Sequence, residues 1–284
     1  MMIAKLAQWN HRWDDALEAL GELEKIYGDL QQYPLEDIMF RNKNTPESIF
    51  EVQRTYTAGG LAVTTNVAAI CTPSHNGKGI YDGVEIPEMG TGMTTWTSMR
   101  PNSYFCDGLQ TKKGNDKRKT LNMAWEYDGK PFSNVGTRPW LGPKFWCPGM
   151  QNTADFNNQK IFRYADAVLM MSECYAEQEN IDESIRYLNM VKERAGLAPY
   201  TFKNIESLME EIQKERGREL LGEFQRKFDL VRWGIWYQMT YDYTNYSTLK
   251  ENMLPCHEYY PIPDKEVVYS GGALDNKAYN EYGM

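Results

Sequence analysis

The stretch Glu215–Gly234, ERGRELLGEFQRKFDLVRWG, decides how the chain is read. It sets four arginines, three glutamates, a lysine and an aspartate among leucines, phenylalanines and a tryptophan. A solvated helix face would segregate charged from apolar groups, and a catalytic site would need fewer charges. On a continuous helix, Glu215, Arg218, Glu219, Gly222, Glu223 and Arg226 follow one another at three- and four-residue steps. Leu208, Ile212, Leu220 or Leu221, Phe224 and Phe228 would line an adjoining face. The charges then border the apolar stripe, a position tolerated only when each is paired and hydrogen-bonded. Arginine suits that role because its planar fork takes carboxylates two bonds at a time. The expectation is a structural ion-pair network that fixes how helices cross. A catalytic carboxylate pair of the glycosidase kind is the alternative, but the sequence around these residues supplies no cleft.

Helical patterning extends outward from this stretch. Asn204 is placed to cap the helix that enters it. Upstream, helix is expected to resume at Gln159, with Ile161, Tyr164, Ala165, Val168, Leu169, Met171, Ser172 and Tyr175 forming a stripe. ENIDES (179–184) makes a turn with Asp182 as N-cap, and Gly196 closes the next helix. Two helices joined by a short turn suit a tetratricopeptide-like unit. The first thirty residues read the same way, with a break at Asn10–His11 and a stop at Gly28. NTPESIFEVQ (44–53) reads as a turn followed by a short strand or helix. From Thr55 to Asn158 glycine and proline are dense and no helical period persists. Trp96, Trp125, Trp140, Trp146, Cys106 and Cys147 fall in this long irregular region, which is expected to be functional rather than a mere connection. From Met253 the chain is rich in proline and tyrosine and reads as irregular.

Composition excludes several function classes. The formal net charge of −8 over 284 residues leaves no electrostatic footprint for nucleic acid or anionic lipid. The five cysteines are widely spaced without a CxxC pair, so neither a zinc site nor a disulfide framework is indicated. No metal or cofactor is expected. No apolar run is long enough to span a membrane, and the first twenty residues are amphipathic rather than signal-like. His11, His75 and His257 are scattered and form no HExxH motif. The glycine spacings in GKGIYDG and GTGMTTW lack the strand–helix context of a nucleotide loop.

Four segments together resemble the SusD/RagB family of outer-membrane nutrient-binding lipoproteins. They are ERGRELLGEFQRKFDLVRWG; IFRYADAVLMMSECYAEQENIDESIRYLNMVKERAGL (161–197); TPESIFEVQ (45–53); and YYPIPDKEV (259–267), and they occur in the family's order. The resemblance implies a mainly α fold of tetratricopeptide-like helix pairs with a large irregular region packed on the scaffold. It implies one SusD-like domain over 1–284, incomplete at its N-terminus. Within it, 1–54 would be a helical repeat unit, 55–158 the ligand-binding region, 159–234 the helical repeat with the charged-network helices, and 235–284 the tail. It implies non-catalytic capture of oligosaccharides, or of peptides in some members, at the cell-surface face of the outer membrane. The partner implied is a TonB-dependent, SusC-like transporter. The family's secretory signal and lipid-bearing cysteine are not in this chain, which enters at what would be the third helical repeat. The ending LDNKAYNEYGM (274–284) also departs from the family's tail.

A sugar ring presents an apolar C–H face that a flat aromatic side chain can cover, while Asn, Asp, Arg and Gln satisfy its hydroxyls. Trp96, in GTGMTTWTSMRPNSY (90–104) with Arg100, Asn102 and Tyr104 close by, is the best candidate platform. Tyr81 and Asp82 in GIYDGVE come next. For each the competing reading is an aromatic plugging a loop against the scaffold, and that reading is favoured for Trp125, Trp140 and Trp146. Two other classes stay open: a tetratricopeptide-type interaction scaffold, which would not need the irregular region, and a hydrolase using glutamates within 215–223.

Overall fold

The computed structural model describes every residue of the chain except 58, 75–78, 90–94, 97, 133–137, 151 and 284. It divides into two compact units, Met1–Arg226 and Lys227–Met284.

The first unit is a helical scaffold carrying an irregular region, as expected. α1 (Met2–Trp9) and α2 (Trp13–Tyr27) are separated by His11, which has a positive φ of 55°, and Gly28 ends α2. β1 (Ser48–Val52) follows. The irregular region holds only short elements: the hairpins β2–β3 (Thr55–Tyr56, Ala62–Val63) and β4–β5 (Ile80–Tyr81, Val84–Glu85), then β6 (Met123–Ala124), the hairpin β7–β8 (Glu126–Tyr127, Lys130–Pro131), and β9 (Trp140–Leu141), which pairs with β6. Between them lie α3 (Val67–Cys71), a π-helical stretch at Tyr104–Leu109, and α4 (Lys119–Asn122). β10 (Gln159–Arg163) returns to pair antiparallel with β1 and leads into α5 (Tyr164–Glu177), α6 (Ile181–Arg194) and α7 (Ile205–Glu219).

α5 is the centre of the scaffold. It packs against α2, α6 and α7, and Ala165, Val168, Leu169, Met170, Met171 and Cys174 are all buried. A helix buried nearly all round, Asp166 and Glu173 included, is a core helix. Asn204 caps α7 as expected, accepting from Ser207 N at 2.8 Å. The residue preceding α6 is Asn180, so the predicted cap Asp182 lies instead in the first turn, where its charge complements the helix dipole.

Residues 159–163 are strand, not the helix expected there. The reason lies in Lys160 and Arg163, both fully buried. Pairing with β1 sets Lys160 opposite Glu51, with Nζ 2.8 Å from Oε1. It also brings Arg163 to Glu47, 2.7 Å away. A helix starting at Gln159 would forfeit the strand register that places these acids.

The charged stretch is a buried network. Glu219 accepts from Arg118 at 2.7 Å, Arg194 at 2.7 Å and Arg163 at 3.0 Å. Arg163 and Lys144 meet on Glu223 at 2.8 and 2.7 Å. Arg118 also reaches Glu215 and Asp116, both at 2.8 Å. Arg218 joins Glu215 to Glu211, which takes Lys192. Burial alone would push the Glu219 carboxyl up, but Arg194, Arg163 and Arg118 outweigh it and hold the group well below the usual carboxylate range.

These charges do not share one continuous helix, however. α7 ends at Glu219, and the chain turns through Gly222 (φ 72°) and Phe224 (φ 60°) before α8 (Arg226–Arg232). The turn lets Glu223 face Lys144 and Arg163, and it turns Phe224 outward. Phe224 and Phe228 are 45% and 61% exposed and do not line the apolar face expected of them.

The second unit carries α9 (Trp236–Tyr243), α10 (Ser247–Asn252), α11 (Asp264–Tyr269) and α12 (Lys277–Asn280), the last two beyond Met253, where the sequence reads as irregular. Asn276 pins the Pro-rich segment by accepting from Ile262 N and donating to Ile262 O, each at 2.8 Å. The Lys227 ammonium sits 4.2 Å from the Tyr260 ring centre and 5.1 Å from that of Trp236.

Candidate ligand-binding site

The irregular region has its own apolar core, and the candidate residues are arranged around it. Ala68, Ala69, Ile86, Met89, Ala124, Phe132, Trp140, Trp146, Cys147 and Met150 form the cluster. Trp140 and Trp146 are 3% and 1% exposed and plug this region, the reading favoured for them from sequence.

Trp96 is placed differently. Its backbone N–H donates to Ala69 O at 2.8 Å, and that of Met99 donates to Ile70 O at 3.1 Å. These carbonyls lie near the C-terminal end of α3, where a helix leaves acceptors unfilled. The Thr95 hydroxyl, buried, donates to Pro73 O at 2.6 Å. The segment is therefore fixed by its backbone and by Thr95, while the Trp96 ring stays 46% exposed. Met99, three residues on and not singled out by sequence reasoning, is also exposed. Nothing in its local sequence distinguishes it from a core methionine.

Tyr81 and Arg100 converge on Trp140. Tyr81 meets that ring edge-on at 4.8 Å and the Phe132 ring at 5.1 Å, and the Arg100 guanidinium lies 5.3 Å from the Trp140 ring centre. Arg100 Nε also donates to Pro139 O at 3.3 Å, and its Nη2 donates to Arg138 O. Asp82 and Gly83 link β4 to β5 with φ of 48° and 77°, the two positive values that a type I′ hairpin turn requires. Asn102 Oδ1 accepts from Phe105 N at 3.0 Å and so anchors the start of the π-helical stretch in which Tyr104 stands. That stretch lies against α7, with Leu109 close to Gly217. The structure thus brings Tyr81 and Arg100 together on one aromatic hub and assigns Asp82 and Asn102 visible local backbone roles. Among the six candidates, Trp96 alone belongs to the large apolar side chains left exposed.

Asp155, which the sequence reading passed over, supports α3 from below. Its buried carboxylate accepts from Ala68 N at 2.8 Å and Asn157 N at 3.2 Å. Burial pushes its pKa up to about 6 despite those two donors. A cavity of about 10 Å³ beside it, lined by Phe40, Val67 and Ala68, has room for one water and not for a sugar. Among the described residues no cluster of His, Cys, Asp or Glu could hold a metal ion, and no helix is long and apolar enough to cross a membrane.

The chain is similar to known proteins over most of its length. The sequence model of the SusD family matches residues 140–279. SusD-like protein P25 of Formosa agariphila is 34% identical over 175 residues, which is 58% of this chain and 32% of that protein. A SusD superfamily protein from Bacteroides vulgatus superposes with a TM-score of 0.63 at 24% identity, covering 93% of this chain and 58% of its own. Surface glycan-binding protein A from Bacteroides thetaiotaomicron, in complex with laminarihexaose, superposes with a TM-score of 0.67 at 20% identity, covering 96% of this chain and 61% of its own. The chain therefore spans about a third of that relative and about three fifths of those two structures. The SusD family model thus accounts for residues 140–279 of the chain, and the fold of the two SusD-like structures extends over nearly all of it.

Proposed function

We propose that the chain binds oligosaccharides without transforming them, at the cell-surface face of the outer membrane, and that the Trp96 ring is the platform on which a sugar face rests. Delivery to a TonB-dependent transporter of the SusC-like kind would follow from binding at that surface. One observation carries the reading: a tryptophan whose backbone is tied to α3 and whose neighbour Thr95 is buried leaves its ring in water. A half-exposed indole on an anchored backbone loses less entropy when a flat partner covers it than one on a free loop. Laminarihexaose bound to a protein of the same fold makes a glucan oligosaccharide the first ligand to test. The non-catalytic character is supported by the charged stretch, because Glu215, Glu219 and Glu223 are each engaged by cations. A carboxyl held well below its usual range, as Glu219 is, cannot serve as a general acid near neutral pH.

Isothermal titration with laminarihexaose and a panel of other oligosaccharides is expected to give a Kd roughly between micromolar and millimolar, the range of shallow platforms. Trp96→Ala should abolish the heat while changing stability by no more than about 1 kcal/mol, since a half-exposed ring contributes little to folding. Heat from peptides in place of glycans would move the ligand class to peptide. Silence from both, or retained binding in Trp96→Ala, would remove the platform assignment.

A further inference from the structure

The candidate segment and its neighbour carry the same dipeptide. Arg100–Pro101 and Arg138–Pro139 lie far apart in sequence and meet in space. Each arginine serves the other's backbone. Arg100 donates to the carbonyls of Arg138 and Pro139, and Arg138 Nη1 donates to the carbonyl of Pro101 at 3.4 Å. Both prolines are buried.

The pairing has a physical cause. A proline brings no N–H, and the residue before it is held extended. Two X–Pro segments laid side by side therefore lack the donors of an ordinary strand ladder, yet still present carbonyls that need partners once buried. A guanidinium carries several N–H donors on a rigid plane and can supply what the prolines lack. The Arg100 plane also packs over Trp140, whose backbone follows directly from the second dipeptide. The segment bearing Trp96 is then held at two ends, by the α3 carbonyls and Thr95 on one side and by the reciprocal arginines on the other.

We propose that the twin Arg–Pro dipeptides form a mutual clasp that positions the Trp96 platform, so that Arg100 and Arg138 are positioning residues and do not themselves hold the ligand. The proposal rests on the reading of Trp96 as the glycan platform, and it revises the expectation that Arg100 satisfies sugar hydroxyls. Pre-organisation of this kind raises affinity by removing the cost of ordering the segment on binding.

The test uses the full chain without ligand first. Hydrogen–deuterium exchange in Arg100→Ala and in Arg138→Ala should speed up about tenfold or more at the Trp96 and Met99 amides, with the amides of α5 and α7 unchanged. The double variant should gain little beyond either single change, because one clasp is broken in each case. Laminarihexaose titration is the second arm. Each arginine variant should bind about tenfold more weakly, and Arg100→Ala placed in a Trp96→Ala background should bind no differently from Trp96→Ala alone. Weaker binding with unchanged exchange at Trp96 and Met99 would make Arg100 a ligand contact and overturn the clasp. Faster exchange throughout the scaffold would reduce it to ordinary packing and overturn it equally. Failure of the parent chain to bind laminarihexaose or any other glycan would sink the platform reading. The exchange measurement would still show whether the clasp orders the segment.

Discussion

Two aspartates of the first unit respond to burial in opposite ways, and their surroundings explain why. Asp166 lies at the start of α5, with Lys5 2.9 Å from one carboxylate oxygen and Arg216 3.0 Å from the other. Burial opposes ionisation there, but the two cations prevail and hold its pKa at about 2. Asp155 has two backbone N–H donors and a more distant Arg54, which is too little to offset burial, so its pKa rises to about 6. The signs follow from linkage. Asp166 is depressed in the folded state, so its contribution is full above about pH 4 and is lost as pH falls toward 2; the shift corresponds to about 2 kcal/mol. Asp155 is raised, so its contribution is full below about pH 4 and is lost as pH rises through 6, by about 3 kcal/mol. Denaturant unfolding followed from pH 3 to 8 should show Asp155→Asn flattening the profile between pH 4 and 6. Asp166→Asn should flatten it only below pH 4. A parent-like slope in Asp155→Asn would mean that its carboxyl ionises normally in the folded state.

At the scale of the element, the turn between α7 and α8 shows what sequence could and could not reveal. Gly222 has φ 72°, and a Cβ there would sit 2.2 Å from a ring carbon of buried Phe145. Both the backbone and the space demand glycine. Gly222→Ala is expected to destabilise the first unit by roughly 3 kcal/mol or more, since neither Phe145 nor the turn can yield cheaply; a melting temperature within 1 °C of the parent would refute this. Gly222 fits the three-and-four spacing of a helix as well as it fits a turn, so local pattern could not place the break. Local signals did place the break near His11, the stop at Gly28 and the cap at Asn204, because caps and positive-φ glycines act within a few residues. β10 was illegible for another reason. Its side chains Lys160 and Arg163 are buried charges, which periodicity counts as solvent-facing, and only their partners Glu51 and Glu47 on a distant segment reverse that count. The proposal of Trp96 as a platform comes from a tryptophan in a Gly- and Thr-rich loop. The engagement of Arg100 was not legible, since the carbonyls it serves belong to a dipeptide elsewhere in the chain.

For the first unit as a whole, the ion-pair network joins segments that the chain delivers from far apart: the loop at Glu47, the turn at Asp116–Arg118, Lys144, the end of β10, the end of α6, and α7 with its following turn. Arg163, like Arg118, is bonded to three carboxylates. It bonds Glu47, Glu219 and Glu223 with every partner buried, and it donates to the Glu219 carbonyl at 3.2 Å. Removing it leaves Glu47, Glu219 and Glu223 each one cation short in a dry interior, with only Arg194, Arg118 and Lys144 to offset their desolvation. Arg163→Leu should therefore cost at least the ~3–5 kcal/mol typical of breaking a buried ion pair. Arg163→Lys should recover little of the loss, because a single ammonium cannot present a planar fork to separate carboxylates. The exposed pair Lys214–Glu210, 2.7 Å apart at the surface of α7, provides the contrast. Lys214→Ala should change stability by less than about 1 kcal/mol, because water already screens that pair. Raising salt to about 1 M should erase even that small difference while leaving the Arg163→Leu deficit in place, since screening acts on solvated charges and hardly reaches buried ones. Chemical denaturation by urea, which is uncharged, allows both salt conditions to be compared directly. An Arg163→Leu deficit that vanished at high salt would mean that water reaches the network and that helix packing, not the ion pairs, holds these segments together.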